Sequence, residues 1–159
     1  MTEQQNFNFQ AAIDQLKERL EADFIGLALV DLNKYYHELK WRYVAGNSNL
    51  RYRKIVLSSG KGVAGLVFKT GKPVLVEDAE ELMESRDLYN YPIVVFEKLK
   101  SFGAIPLFHD DHVQGVLLVG YRQPKKMTIE KFEQVKETIG TTFGPFHHKE
   151  RLKDDAIEQ

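Results

Sequence analysis

The sequence predicts an α+β fold, a central antiparallel β-sheet flanked by helices. Two observations carry this. Segments of helical period alternate with apolar runs too short for long helices, and SFGAIPLFHDDHVQGVLLVGYR, residues 101–122, reads as two apolar strands around a polar turn. At 159 residues without repeats or linkers, one domain over 1–159 is expected, with 1–6 and 150–159 frayed.

From the N-terminus, Phe9, Ile13, Leu16 and Leu20 recur at spacings of four, three and four with charged residues between them, an amphipathic helix. DFIGLALVDLN is a near-continuous apolar run, a strand buried on both faces. YHELKWRYVAGN alternates, which places Leu39, Trp41 and Tyr43 on one side of the next strand and Lys40 and Arg42 on the other. A polar loop leads to the short strand KIVLSSG. Val63 to Lys69 then predicts about two helical turns closed by Gly71, and Pro73 opens the strand PVLVED.

AEELMESRDLYN reads as helix and loop, and Pro92 sits at the first position of a helix running through IVVFEKLK. In that segment Glu97 and Lys98 read as an ordinary charged face. HDDH, residues 109–112, suits a hairpin turn better than a metal site, because Asp is favoured there for local reasons. Thr128 predicts the N-cap of a last helix with Ile129, Phe132, Val135 or Lys136, Ile139, Phe143 and Phe146 on its stripe, weakened or bent at Gly140 and at Gly144-Pro145. His147 and His148 are expected at its solvated end. The first and last helices are expected to pack together, and a homodimer through them is compatible with their narrow stripes.

The bulk composition excludes several functions. With 43% hydrophobic residues, 28% charged residues and a formal net charge of -1, nothing favours nucleic acid. No apolar run approaches the roughly 18 residues of a membrane span, and the first residues lack a secretory layout, so a cytoplasmic location is expected. There is no cysteine, which removes disulfides, thiolate metal sites and thiol nucleophiles. Neither a Ser-His-Asp arrangement nor a carboxylate pair takes their place, so no catalytic residue is expected.

Gly60, Gly62 and Gly65 crowd the entry to a short apolar helix, a way of presenting backbone amides to an anion. The stretch is not a P-loop, since it lacks the terminal Gly-Lys-Ser/Thr, and glycines that merely permit a turn are the alternative. Trp41 and Tyr91 could equally be packed aromatics.

GKGVAGLVFKTGKPVLVEDA followed by GAIPLFHDDHVQGVLLVGY resembles the GAF domain over nearly the whole chain. Within that superfamily, WRYVAGN, GVAG and YNYPIVVFEKL resemble stand-alone nitrate receptors. The resemblance implies nitrate as ligand, no cofactor, and direct control of a sensor histidine kinase of the NreB type in nitrate respiration. Carried over residue by residue, the implied nitrate-binding positions are Trp41, Val63, Ala64, Tyr91 and Ile93. The chemistry agrees, because a planar monoanion is best held by several neutral N–H donors and a flat apolar wall. Nitrite is the ligand hardest to exclude.

Two rival readings come from the same superfamily. Free methionine sulfoxide reductases share GKGVAG-like segments but need cysteines, and here Ala64 stands where one could. Cyclic-nucleotide-binding GAF domains carry an Asn-Lys motif that NKYYHE, residues 33–38, echoes only faintly.

Overall fold

The computed structural model describes residues 7–32, 37–82 and 90–148. Its elements are α1 (Phe9–Leu20), β1 (Phe24–Leu32), β2 (His37–Ala45), a 3-10 turn (Arg51–Lys54), β3 (Val56–Leu57), α2 (Gly62–Thr70), β4 (Val74–Val76), α3 (Ala79–Leu82), α4 (Pro92–Phe96), β5 (Ser101–His109), β6 (His112–Tyr121), α5 (Ile129–Ile139), β7 (Thr142–Phe143) and β8 (Phe146–His147). The strands form one eight-stranded sheet in the order β3-β2-β1-β6-β5-β8-β7, with β4 also on the outer edge of β5. Every pairing is antiparallel. The α+β class and its flanking helices are as the sequence predicts.

Alternation along the central strands divides the interior into two cores. On one face Phe24 and Ala28 of β1, Phe102 and Ala104 of β5, and Val116 and Leu118 of β6 pack under α2 and α4. On the other, Ile25 and Leu27, Ile105 and Leu107, and Leu117 and Val119 pack under α1 and α5. The first and last helices touch there, as their stripes require. Asn8 caps α1 by accepting from the Ala11 N–H at 2.9 Å, and Thr128 caps α5 by accepting from the Lys131 N–H at 3.1 Å.

Four expectations need correction. The regular alternation of β2 breaks at Arg42: Ala28 pairs with Trp41 but Leu27 pairs with Tyr43, a β-bulge. Trp41 therefore lies in the α2/α4 core, while Tyr43 turns to the α1 side and meets Phe9 with ring centroids 5.4 Å apart. Second, the last helix stops at Ile139. Gly140 (φ 81°) and Gly144 (φ 60°) redirect the chain into the β7–β8 hairpin, so Phe143, Phe146 and His147 lie on strands.

Third, Ile129 is off the buried stripe, 58% exposed at the first helical position. Fourth, α4 ends at Phe96, and Glu97 is completely buried. Lys98 takes the left-handed conformation (φ 55°), with its N–H on the Val95 carbonyl at 3.2 Å and the Leu99 N–H on the Val94 carbonyl at 3.0 Å. That double closure is a Schellman motif, with Lys in the place glycine usually takes. At the β5–β6 turn Asp110 (φ 52°) and Asp111 (φ 66°) adopt the two left-handed conformations of a tight hairpin. Residues 83–89 of the predicted helix and loop, both frayed ends and most of the NKYYHE segment lie outside the described residues.

The helical face is packed without slack. A Cβ on Gly103 would stand 2.5 Å from Phe132, so Gly103→Ala is expected to destabilise the protein by about 1–3 kcal/mol, measured by urea unfolding. The buried Tyr121 hydroxyl donates to the Leu20 carbonyl at 2.7 Å, and burial, with Asp23 and Glu21 nearby, pushes its pKa up to about 12. A raised pKa means that this contribution is complete below pH 10 and is lost as pH rises toward 12. Tyr121→Phe is expected to cost about 1 kcal/mol at neutral pH and to blunt that alkaline loss, as seen in melting temperatures across the range.

Candidate functional site

Trp41 enters the α2/α4 core from β2 and is 4% exposed. Its ring lies against the bare backbone of Gly26 on the neighbouring strand, where a Cβ would come within 2.9 Å of Trp41 Cε3. The indole Nε1–H is buried and has no hydrogen-bond partner among the described residues. An unpaired buried donor costs about 1–3 kcal/mol, so a native core rarely retains one without a function for it.

In the same core, α2 begins at the glycine stretch. Gly60 (φ 85°) and Gly62 (φ 67°) take conformations that a side chain would strain. Gly65 has room for no Cβ because the Ser58 carbonyl presses against it, and its own carbonyl accepts from the Gly60 N–H at 2.8 Å. The loop therefore folds back on the first turn of the helix and fixes where that turn points. Val63 and Ala64 are buried within that turn, and no side chain caps it. First-turn amides have no acceptor inside their own helix, and they carry the positive end of its dipole.

The third contributor is α4, which starts with Pro92 at its first position after Tyr91 (φ −123°, ψ 77°). No side chain caps this end either. Ile93 is buried, and Tyr91 is half-buried against the same core. All five sequence-predicted positions thus come together: Trp41, Val63, Ala64 and Ile93 share one core, and Tyr91 packs on it. Helices α2 and α4 start without a side-chain cap, and the indole N–H of Trp41, in the same apolar core, has no partner among the described residues. Among the described residues no lysine or arginine is buried, and the buried polar or charged side chains are Glu97 and Ser101. Such a place suits a small acceptor-rich molecule of low charge.

Glu97 is the residue that sequence reasoning missed. Its carboxylate Oε1 accepts from the Ser48 N–H at 2.8 Å, from Ser48 Oγ at 3.1 Å and from the Arg122 guanidinium at 2.6 Å, while Oε2 is buried without a partner among the described residues. No local signal marks it, because both partners are far away along the chain. A different, open cleft of about 290 Å³ at the end of α1 is lined by Glu21, Asp23, Tyr121, Lys126 and Lys131. There the Tyr121 hydroxyl is committed to Leu20, and Asp23 accepts from the Arg122 N–H, so the cleft offers no comparable set of convergent donors.

A model of the GAF domain matches residues 9–143. The chain belongs to the GAF-domain family. Among solved structures it is similar to NreA of Staphylococcus aureus mutated in its nitrate-binding site, at 35% identity over 77% of this chain and 90% of that one, with a TM-score of 0.71. A hypothetical protein from S. aureus is 35% identical over 74% of this chain and 96% of its own, with a TM-score of 0.70. Free methionine-R-sulfoxide reductase from Neisseria meningitidis shares the fold at 20% identity over 80% of this chain and 68% of its own, with a TM-score of 0.62. A comparison with curated protein sequences gave no match.

Because the chain has one tryptophan, its emission reports on this site alone. Gly26→Ala is expected to displace the Trp41 ring, shift its emission and cost about 1–3 kcal/mol of stability. An unchanged spectrum would mean that the indole does not depend on the bare Gly26 backbone.

Proposed function

We propose that this protein is a cytoplasmic nitrate receptor which binds the anion in the α2/α4 core and passes its occupancy to a sensor histidine kinase by contact. The observation that carries the reading is the unpartnered Trp41 Nε1–H, buried in the same core as Val63, Ala64 and Ile93 of two helices whose starts no side chain caps. In this arrangement the indole N–H and the amides of Val63, Ala64 and Ile93 donate to the three oxygens of nitrate. The Trp41 ring supplies the flat wall, and the Tyr91 hydroxyl closes the side. The similarity to NreA, whose structure is described by its nitrate-binding site, supports the same ligand.

Charge accounts for selectivity. Without a buried cation, the desolvation cost of a dianion far exceeds that of a monoanion, so sulfate and hydrogen phosphate are rejected while nitrite competes. The protein has no thiol with which to reduce a sulfoxide, and binding rather than catalysis is its role. Signalling then follows from linkage. Nitrate favours the arrangement in which the two helix starts are tied together, and it weakens the inhibitory contact with the kinase to the extent that it binds the two arrangements differently.

Calorimetric titration tests this directly. Nitrate is expected to bind saturably and, at a hundred times its Kd, to stabilise the fold by about 2.7 kcal/mol. Sulfate and phosphate are expected to give no heat, and Trp41→Ala is expected to abolish the nitrate signal. Nitrate without heat or thermal stabilisation would reject the reading, and binding of a cyclic nucleotide in its place would favour the other GAF class.

A further inference from the structure

We infer that Glu97 is a positioning residue for the candidate anion site, a buried clamp that holds the far end of α4 so that its first turn faces Trp41. The inference rests on the nitrate reading for its ligand, but its geometry stands apart from it. Glu97 is 0% exposed, and buried carboxylates are rare unless paired. Its side chain reaches out of α4 to two distant segments, the Ser48 loop and the end of β6 at Arg122. Its backbone closes the helix, since the Glu97 N–H donates to the Ile93 carbonyl at 3.0 Å. The clamp is thus one helical turn from the Ile93 amide.

The surroundings show that this end of α4 is held from several directions. Arg122 also donates through Nε to the Glu97 carbonyl at 2.9 Å, and its other nitrogens reach the carbonyls of Asp23 at 3.3 Å and Gly46 at 3.0 Å. Asn49 Nδ2 donates to the Phe96 carbonyl at 3.0 Å. Leu99, the residue just beyond the Schellman closure, lies against the bare backbone of Gly120, where a Cβ would approach within 2.8 Å. A five-residue helix has too few internal hydrogen bonds to hold its own axis, so these anchors decide where it points.

The bonding of the carboxylate is lopsided in a way that stability alone does not require. Oε1 accepts every bond and Oε2 none, so the residue retains a desolvated oxygen that an apolar side chain would avoid. What the carboxylate adds is direction, because one oxygen fixes Ser48 and Arg122 together at the end of the helix. Arg122 also neutralises it, which keeps a second negative charge from opposing an anion at the other end of α4.

The test combines Glu97→Gln with Ser48→Ala, which removes the hydroxyl bond to Glu97 and the one accepted from Asn49 Nδ2 and keeps the Ser48 N–H. Gly103→Ala, on the opposite face of the sheet, serves as a control destabilised for an unrelated reason. Nitrate affinity is titrated by Trp41 emission well below each melting temperature. Glu97→Gln is expected to weaken nitrate by about tenfold or more, Ser48→Ala by less, and Gly103→Ala not at all once folded. Equal affinity in Glu97→Gln and the unaltered protein, or equal losses in Glu97→Gln and Gly103→Ala, would overturn the inference.

A second readout separates this failure from failure of the nitrate reading. If the unaltered protein binds no nitrate, the ligand is wrong, yet the clamp still predicts that Glu97→Gln alters Trp41 emission and its quenching by acrylamide in the free protein. Unchanged emission and quenching in that variant would overturn the clamp whatever the ligand.

Discussion

One additional residue in β2 decides what both faces of this protein contain. Without the bulge at Arg42, Trp41 and Tyr43 would point the same way, and either the indole would leave the α2/α4 core or the phenol would leave the aromatic packing around Phe9. With it, each reaches its own side. Asp31 holds the bulged segment from the neighbouring strand by pairing with both Lys40 and Arg42, and these two cations hold its carboxyl below the usual carboxylate range, Arg42 most of all. The pairing is exposed and contributes little energy, and the register itself changes further along, between Leu27 and Ala28.

The α2/α4 face differs from the helical face in what its strands leave out. Gly26 and Gly120 remove side chains where the Trp41 ring and Leu99 need to lie against the sheet. On the α1/α5 face Gly103 does the same for Phe132, but there the consequence is close packing of a long helix. Under α2 and α4 the consequence is placement. The indole lies against the bare backbone of Gly26 in the core under α2, and Leu99 lies against Gly120 at the exit of α4. An unsatisfied donor survives in this core because the backbone around it is held by glycines and carbonyl contacts that give it little freedom to find another partner.

Much of this was legible in the sequence, and the reasons for the rest are physical. Helix α1, the hairpin of β5 and β6, and α2 closed by Gly71 (φ 69°) follow from periodicity and turn chemistry. The family resemblance names Trp41, Val63, Ala64, Tyr91 and Ile93 as the proposed site, and the fold places them in or against one core. The bulge could not be read, because an extra residue leaves a polar-apolar pattern that still looks regular from inside one strand. The stop of α4 was hidden because its left-handed residue is Lys98, where a glycine would have announced it. The early end of α5 was obscured because Phe143 and Phe146 continue a helical spacing while in fact serving a hairpin that buries them against Phe9.

Glu97 was the largest misreading, and it shows why charge near the end of a short helix is ambiguous. By sequence distance its neighbours are lysines, but in space they are Ser48 and Arg122, whose sequence separations of 49 and 25 residues place them beyond any local rule. A short helix without long-range anchors would sample many orientations, and a ligand gripping its first turn would have to supply the whole ordering cost. Anchoring at the opposite end transfers most of that cost to folding. By linkage the converse holds too: whatever a ligand gains from an ordered α4, an occupied site returns as resistance of α4 and its anchors to opening.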